Sequence, residues 1–189
     1  MDLHNLFSQP IGVNFLQENL KELHSFSLNL KESRKISNVG GFQSKDLNYK
    51  KNKLLNNLVK NLNKHINDYS KIFSLKYELS ISNIWININN HKDFNLEHTH
   101  PDSIVSGSFY IKVPENSGNI IFHNQNNFYM DSKDVILQNE YNSMTWGYEP
   151  KENLLLLFPS WLKHHVEPNM SNEARISMSF NTFYNSKKI

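Results

Sequence analysis

The sequence predicts a mainly β fold, a double-sheet jelly roll carrying α-helices from its N-terminal part on the outside. Helical hydrophobic spacing is confined to the first 74 residues, and from Leu75 onward the pattern alternates in short runs. The chain also lacks the strand–helix alternation that builds a parallel sheet. We read residues 1–189 as one domain, with 1–74 as a helical support region and 75–184 as the jelly-roll core.

Residues 1–14, with Leu6, Phe7, Pro10, Ile11, Gly12 and Val13, suit an edge strand or an anchoring arm. From about 15 to 30, Leu16, Leu20, Leu23 and Phe26 fall at helical spacing. A stronger helix runs over about 51–69, where Leu54, Leu55, Leu58, Val59, Leu62, Ile66 and Tyr69 form one apolar stripe opposite Lys and Asn. Between the two helices the paired Gly40 and Gly41 mark a turn or a close backbone approach, in a loop able to reach a site. Strands are expected at about 76–89, 104–113, 118–123, 134–141, 153–159 and 174–184.

Composition narrows the function classes. A chain of 189 residues with 38% hydrophobic content can bury a core without a covalent staple. The absence of cysteine excludes a disulfide framework, a thiolate metal site and a cysteine nucleophile. The strongest apolar run, Leu154 to Phe158, is far too short to span a bilayer, so no membrane partner is expected. Met1 to Asn5 lacks the basic and apolar regions of a signal peptide, which gives a cytoplasmic expectation, the host cytoplasm if the chain is phage-encoded. The pI of 8.6 comes from lysines scattered among acidic residues, so a nucleic-acid partner is not expected. Oligomeric state leaves no mark on the sequence.

Against 29 asparagines and 18 lysines, a bias that an AT-rich genome would give, the chain has two arginines, Arg34 and Arg175. Where lysine is the easy choice, arginine points to a need for a planar, bidentate fork.

His98, Thr99 and His100 carry the densest chemical signal. In an extended strand residues i and i+2 share a face, so His98 and His100 can converge on one ion. His164 follows 64 residues after His100, and Arg175 comes 11 residues later. If residues 164 and 165 are extended they point to opposite sides. His164 shares its face with Leu162 and Val166 and is the ligand candidate, whereas His165 sits with Lys163 and Glu167 and reads as exposed. His4, His24, His65, His91 and His123 read as surface or core residues.

The neighbouring strands add polar faces. Arg175, Ser177, Ser179 and Asn181 oppose Ile176, Met178 and Phe180. Ser106, Ser108 and Tyr110 oppose Gly107, Phe109 and Ile111, and Trp85, Asn87 and Asn89 oppose Ile84, Ile86 and Ile88. Such faces are expected of strands that line a shared wet cavity, the alternative being the solvated face of a half-exposed sheet. Three imidazoles leave three faces of an octahedral ion open, as non-haem Fe(II) oxygenases require for a bidentate cosubstrate and O2. The usual set there is two histidines and a carboxylate. His100 stands where the Asp would be, and Asp102 is an alternative that reaches the metal or orients His100 from behind.

Several segments together resemble a known family: Asn95 to Pro101, Ser106 to Ile111, Pro114 to Gly118, Leu157 to His164 and Arg175 to Asn181, with the loop Ser37 to Ser44. The chain resembles the 2-oxoglutarate- and Fe(II)-dependent oxygenases of bacteria and of phages that infect marine bacteria, over roughly residues 5–184. More distantly it is similar to prolyl hydroxylases, which implies a double-stranded β-helix core of the cupin-like jelly-roll type. The resemblance implies Fe(II), 2-oxoglutarate and O2 as cofactor and cosubstrates, with His98, His100 and His164 on iron. It implies Arg175 on the distal carboxylate of 2-oxoglutarate, with Ser177 and Tyr110 hydrogen-bonding the same end. Trp85, Asn87, Gln43 and Asn181 are candidates to line the space for the prime substrate, a small molecule or a protein side chain.

The expected activity is hydroxylation coupled to oxidative decarboxylation of 2-oxoglutarate to succinate. Two rivals stand beside it. The imidazole trio also suits a three-histidine or cupin-type dioxygenase that uses no 2-oxo acid, although Arg175 and Ser177 argue against that reading. A non-catalytic jelly roll with a vestigial metal site is the other.

Overall fold

The computed structural model describes residues 1–2, 4–125 and 134–185. Among the described residues twelve strands and two α-helices follow in chain order: β1 (Gly12–Phe15), α1 (Leu20–Leu28), β2 (Ser33–Arg34), β3 (Asn38–Val39), β4 (Phe42–Ser44), α2 (Lys53–Ser70), β5 (Leu79–Asn89), β6 (Phe94–His98), β7 (Val105–Lys112), β8 (Ile120–His123), β9 (Thr145–Tyr148), β10 (Leu154–Pro159), β11 (His164–Val166) and β12 (Arg175–Tyr184). They form a seven-stranded sheet, in the order β1-β10-β7-β12-β5-β4-β2, and a five-stranded sheet, β3-β6-β11-β8-β9. Every pairing is antiparallel. The two sheets face each other as a double-stranded β-helix, the predicted jelly roll.

Helix α2 packs as its stripe dictates. Leu55, Leu58, Val59, Leu62 and Ile66 are buried, and Asn52 caps the first turn by accepting from the Leu55 N–H at 3.1 Å. With Leu23 of α1 they close over Ile84, Ile86, Phe109, Ile111, Leu155, Leu157, Ile176, Met178 and Phe180 on the outer face of the larger sheet. A second core of Tyr110, Ile120, Phe122, Leu154, Leu156, Phe158 and Leu162 lies between the sheets. Strand β10 therefore feeds both cores with alternate residues, which is why all of it is buried.

Three expectations need correction. The first helix spans Leu20–Leu28 rather than 15–30, because the backbone from Gly12 to Phe15 is taken by pairing with Leu154–Leu157 as an edge strand. The strand expected at 134–141 does not form. Ile136 and Leu137 there are largely exposed, and β8 takes Thr145–Tyr148 as its partner instead. The loop 37–44 contains two short strands, β3 and β4, one in each sheet, joined by Gly40 and Gly41 at φ +69° and +55°. The paired glycines thus mark the crossover between sheets that only a residue tolerant of left-handed φ makes without strain. Among the described residues no helix is long and apolar enough to cross a membrane.

Candidate metal centre

Strand β6 ends at His98, and the chain then turns, so His98 and His100 do not share one strand as the spacing predicts. The backbone N–H of His100 donates to the Ser160 carbonyl at 2.8 Å, which ties this turn to the end of β10. His164 opens β11 and stands directly opposite His98 in the ladder. Cross-strand pairing therefore supplies the third imidazole, and a loop anchored by β10 returns the second.

The ring centroids of His98 and His164 are 4.4 Å apart, those of His98 and His100 5.0 Å, and those of His100 and His164 5.2 Å. One ring nitrogen from each residue lies within 4.8 Å of the others. The Nδ1 atoms of His98 and His164 sit 2.7 Å from the Leu96 carbonyl and 2.9 Å from the Leu162 carbonyl. A carbonyl only accepts, so each Nδ1 carries the proton and each Nε2 keeps its lone pair. Burial lowers the pKa of all three. His98 falls below its ordinary value through desolvation, despite the Leu96 carbonyl. His100 falls to about 3 through burial and then the proximity of His98, partly offset by the Asn181 side chain. His164 falls well below the ordinary range, first through burial and then through the other two rings. The cluster at neutral pH is a set of uncharged nitrogen donors, the state that ligates a divalent ion.

Arg175 begins β12 and is 1% exposed. Its Nη1 donates to the carbonyls of Ser117 and, at 3.1 Å, Gly118, while its buried Nη2 has no partner. Burial lowers its pKa, and Tyr110 and Glu167 oppose that shift. Gly118 makes this anchorage possible. Its φ is +79°, and a Cβ there would sit 2.6 Å from the Pro168 carbonyl oxygen. Ser177 and Tyr110 are registered partners one step inward, with the Tyr110 hydroxyl pushed up to about 12 by burial.

His98, His100, His164, Arg175, Ser177, Tyr110, Trp85 and Asn87 line one cleft between the sheets. Asn181 meets it through His100 and accepts from Ser106 Oγ at 2.8 Å. Gln43 lies beside Asn87 across the β4–β5 ladder. Asp102 stays outside: it is exposed in the turn after His100, at φ +59°. Among the described residues, the one group of His, Cys, Asp or Glu side chains close enough to hold an ion contains the three histidines alone.

Sequence reasoning missed several features. The Trp85 ring stacks on His100 at 5.9 Å, and the Arg34 guanidinium covers the Trp85 ring at 5.4 Å. Ser37 and Asn95 also line the cleft, together with Asn89, which strand alternation had placed on that face. The rarity of arginine singled out Arg34 as well as Arg175, and that signal was sufficient to flag it. His165 is half-buried rather than exposed, because His123 holds its Nδ1 at 2.8 Å on the outer face of the smaller sheet.

A three-nitrogen cluster facing a buried arginine with an unused donor fits a divalent metal and a carboxylate-bearing cosubstrate. Comparison with known proteins agrees. A Pseudomonas putida prolyl-4-hydroxylase is similar at 14% identity, with TM-score 0.68 over 96% of each chain. HygX from Streptomyces hygroscopicus, solved with nickel and 2-oxoglutarate bound, is similar at 10% identity and TM-score 0.68, over 94% of this chain and 84% of that one. The viral collagen prolyl hydroxylase of Paramecium Bursaria Chlorella virus-1, in its 2-oxoglutarate complex, gives 12% identity and TM-score 0.61 over 91% of this chain and 94% of that one. At these identities the likenesses show the fold. No curated protein matches the chain. The family model described as "Putative 2OG-Fe(II) oxygenase" matches residues 83–181, more than half the chain and every residue of the cluster. The chain belongs to that family, and is an oxygenase that uses Fe(II), 2-oxoglutarate and O2.

Proposed function

We propose that His98, His100 and His164 hold Fe(II), that Arg175 binds the distal carboxylate of 2-oxoglutarate, and that the enzyme hydroxylates a small molecule or a protein side chain. The observation that carries this reading is the unpartnered, buried Nη2 of Arg175 in the same cleft as three converging ring nitrogens. When bound, Fe(II) activates O2 as 2-oxoglutarate is oxidatively decarboxylated to succinate.

The chain's own residues have separable tasks. Backbone carbonyls orient His98 and His164 so that their Nε2 lone pairs face the centre. Ser117 and Gly118 fix one arm of the Arg175 fork and leave the other to pair with a carboxylate. The Ser177 and Tyr110 hydroxyls are placed to hydrogen-bond that same end, and the high pKa of Tyr110 keeps it a donor at neutral pH. Phe158 and Phe122 pack against His164 and keep water from that side. The same reading expects the enzyme to act in the cytoplasm.

Anaerobic titration of Fe(II) and 2-oxoglutarate into the purified protein tests this. A weak visible charge-transfer band is expected in wild type and is expected to vanish in His100→Ala. Bound iron without the band would overturn the cosubstrate assignment, and no bound iron would overturn the histidine centre.

A further inference from the structure

The register of the seven-stranded sheet sets five polar residues in one line across its cleft face. Arg34 pairs with Gln43, Gln43 with Asn87, Asn87 with Ser177, and Ser177 with Tyr110. Registered neighbours on adjacent strands project to the same side. Ser177 and Tyr110 belong to the cosubstrate end proposed above. Arg34, Gln43 and Asn87 continue the line toward the sheet edge, where that reading gives them no task.

Each of the three carries an unsatisfied buried atom. Gln43 and Asn87 are 3% and 8% exposed, and their carbonyl oxygens, Oε1 and Oδ1, have no hydrogen-bond partner. The Asn87 amide nitrogen donates to Ser179 Oγ at 3.1 Å, and Ser179 and Ser108 share a further hydrogen bond at 3.4 Å. That pairing leaves Oδ1 as the open end. Arg34 donates from Nη2 to Asp46 at 2.7 Å and lies over Trp85, but its buried Nε is unpaired. An unpaired buried polar group is costly, so three side by side point to a ligand that completes them.

One donor followed by two acceptors is the complement of a primary carboxamide. The carbonyl of such a ligand would accept from Arg34 Nε, and its two amide hydrogens would go to Gln43 Oε1 and Asn87 Oδ1. A carboxylate would meet the Asn87 Oδ1 that the hydrogen bond to Ser179 fixes as an acceptor, and an alkyl group would leave all three atoms unpaired. Trp85 precedes Asn87 by two residues on the same face and stacks on His100, so this row adjoins the histidine cluster. Asn87 lines the cleft itself, whose free space is about 30 Å³, while Gln43 and Arg34 border it, Gln43 beside Asn87 in the ladder and Arg34 over the Trp85 ring.

We infer that Arg34, Gln43 and Asn87 form the prime-substrate subsite and that the substrate bears a primary carboxamide, as in a glutamine or asparagine side chain. The assignment rests on the proposed oxygenase reading. The probes are glutamine with glutamate and asparagine with aspartate, each free and as its N-acetyl methylamide, titrated by saturation-transfer NMR into the full chain with Zn(II) and 2-oxoglutarate. At least one amide is expected to bind about 10-fold or more tightly than its acid, the loss expected when a site's hydrogen bonds go unmade. Gln43→Leu and Asn87→Leu are expected to abolish the preference, with folding checked by thermal melting. Gln43→Glu, which keeps the acceptor, is expected to retain it. Equal binding of amides and acids, or preference surviving in both Leu variants, would overturn the subsite. The two readings fail separately: a charge-transfer band without amide preference removes the subsite alone, and amide preference without the band removes the assignment of the three histidines and Arg175 to iron and 2-oxoglutarate alone.

Discussion

The Nε2 atoms of His100 and His164 lie 3.3 Å apart, with their ring planes 6° from parallel. A charge on either ring is costly in so buried a site, and this desolvation, reinforced by repulsion from neighbouring rings of the cluster, gives the metal-free protein a pH-dependent stability. Above an ordinary histidine pKa of 6.5 the rings are neutral both folded and unfolded, and stability does not change. Below it the unfolded chain takes up protons that the folded chain refuses until about pH 3 at His100, so stability falls as pH falls through that window. Calorimetry of the metal-free protein should show a melting temperature that is flat between about pH 7 and about pH 9 and declines below about pH 6. The decline should be shallower in His100→Leu, and an identical slope would contradict the assignment.

His100 stands where the usual metal set has a carboxylate. His100→Asp should keep metal binding and lower the net charge of the centre by one. His100→Ala should weaken Ni(II) affinity by more than the roughly 10- to 100-fold that loss of an outer partner costs. Isothermal titration distinguishes them, and equal affinity in wild type and His100→Ala would exclude His100 as a ligand.

Arg175→Lys keeps the charge and removes the fork. The KM for 2-oxoglutarate should rise about 10- to 100-fold, as the loss of a charge-assisted hydrogen bond implies. Steady-state succinate formation reads this directly, and an unchanged KM would place the carboxylate elsewhere.

Gly118→Ala forces a Cβ against the Pro168 and Glu167 carbonyl oxygens at 2.6 and 2.7 Å, on a backbone at φ +79°. It should destabilise the fold by about 1–3 kcal/mol and raise the KM for 2-oxoglutarate, because the carbonyl that holds Arg175 moves. Denaturant unfolding beside the kinetic assay checks both.

Leu62→Ala opens a cavity where the α2 stripe is completely buried and should cost about 2–5 kcal/mol. Metal affinity at a temperature where the variant is folded should not change, since Leu62 packs on the face of the sheet turned away from the histidines.

The sequence carried the parts of this fold that follow from periodicity. The Leu55 to Ile66 stripe follows from burial on one side of a helix, and the alternation of Arg175, Ser177 and Ser179 with Ile176, Met178 and Phe180 from a strand with a polar cleft on one face and an apolar core on the other, and both were readable. The choice of His164 over His165 followed from the same alternation. Strands β2, β3 and β4 were not readable, because elements of two or three residues are too short to show a period and owe their conformation to partners distant in sequence. The 134–141 segment misled for the converse reason. Its Val135, Ile136 and Leu137 have strand propensity, but β8 found its partner in Thr145–Tyr148. The turn that carries His100 back over His164 depends on a hydrogen bond to Ser160, sixty residues away, and no local pattern encodes it.

The members of the polar row differ in how deeply they are built into the sheet. Tyr110 and Ser177 sit on long central strands whose other faces hold the helices, whereas Arg34 and Gln43 ride on strands of two and three residues at its margin. Tyr110 is part of the core between the sheets, whereas Arg34 and Gln43 belong to neither apolar core. The two ends of the row are therefore held by different means, the central end by a core packed from behind and the marginal end by the pairing of short strands, so amide hydrogen exchange is expected to be faster at Arg34 and Gln43 than at Ser177 and Tyr110.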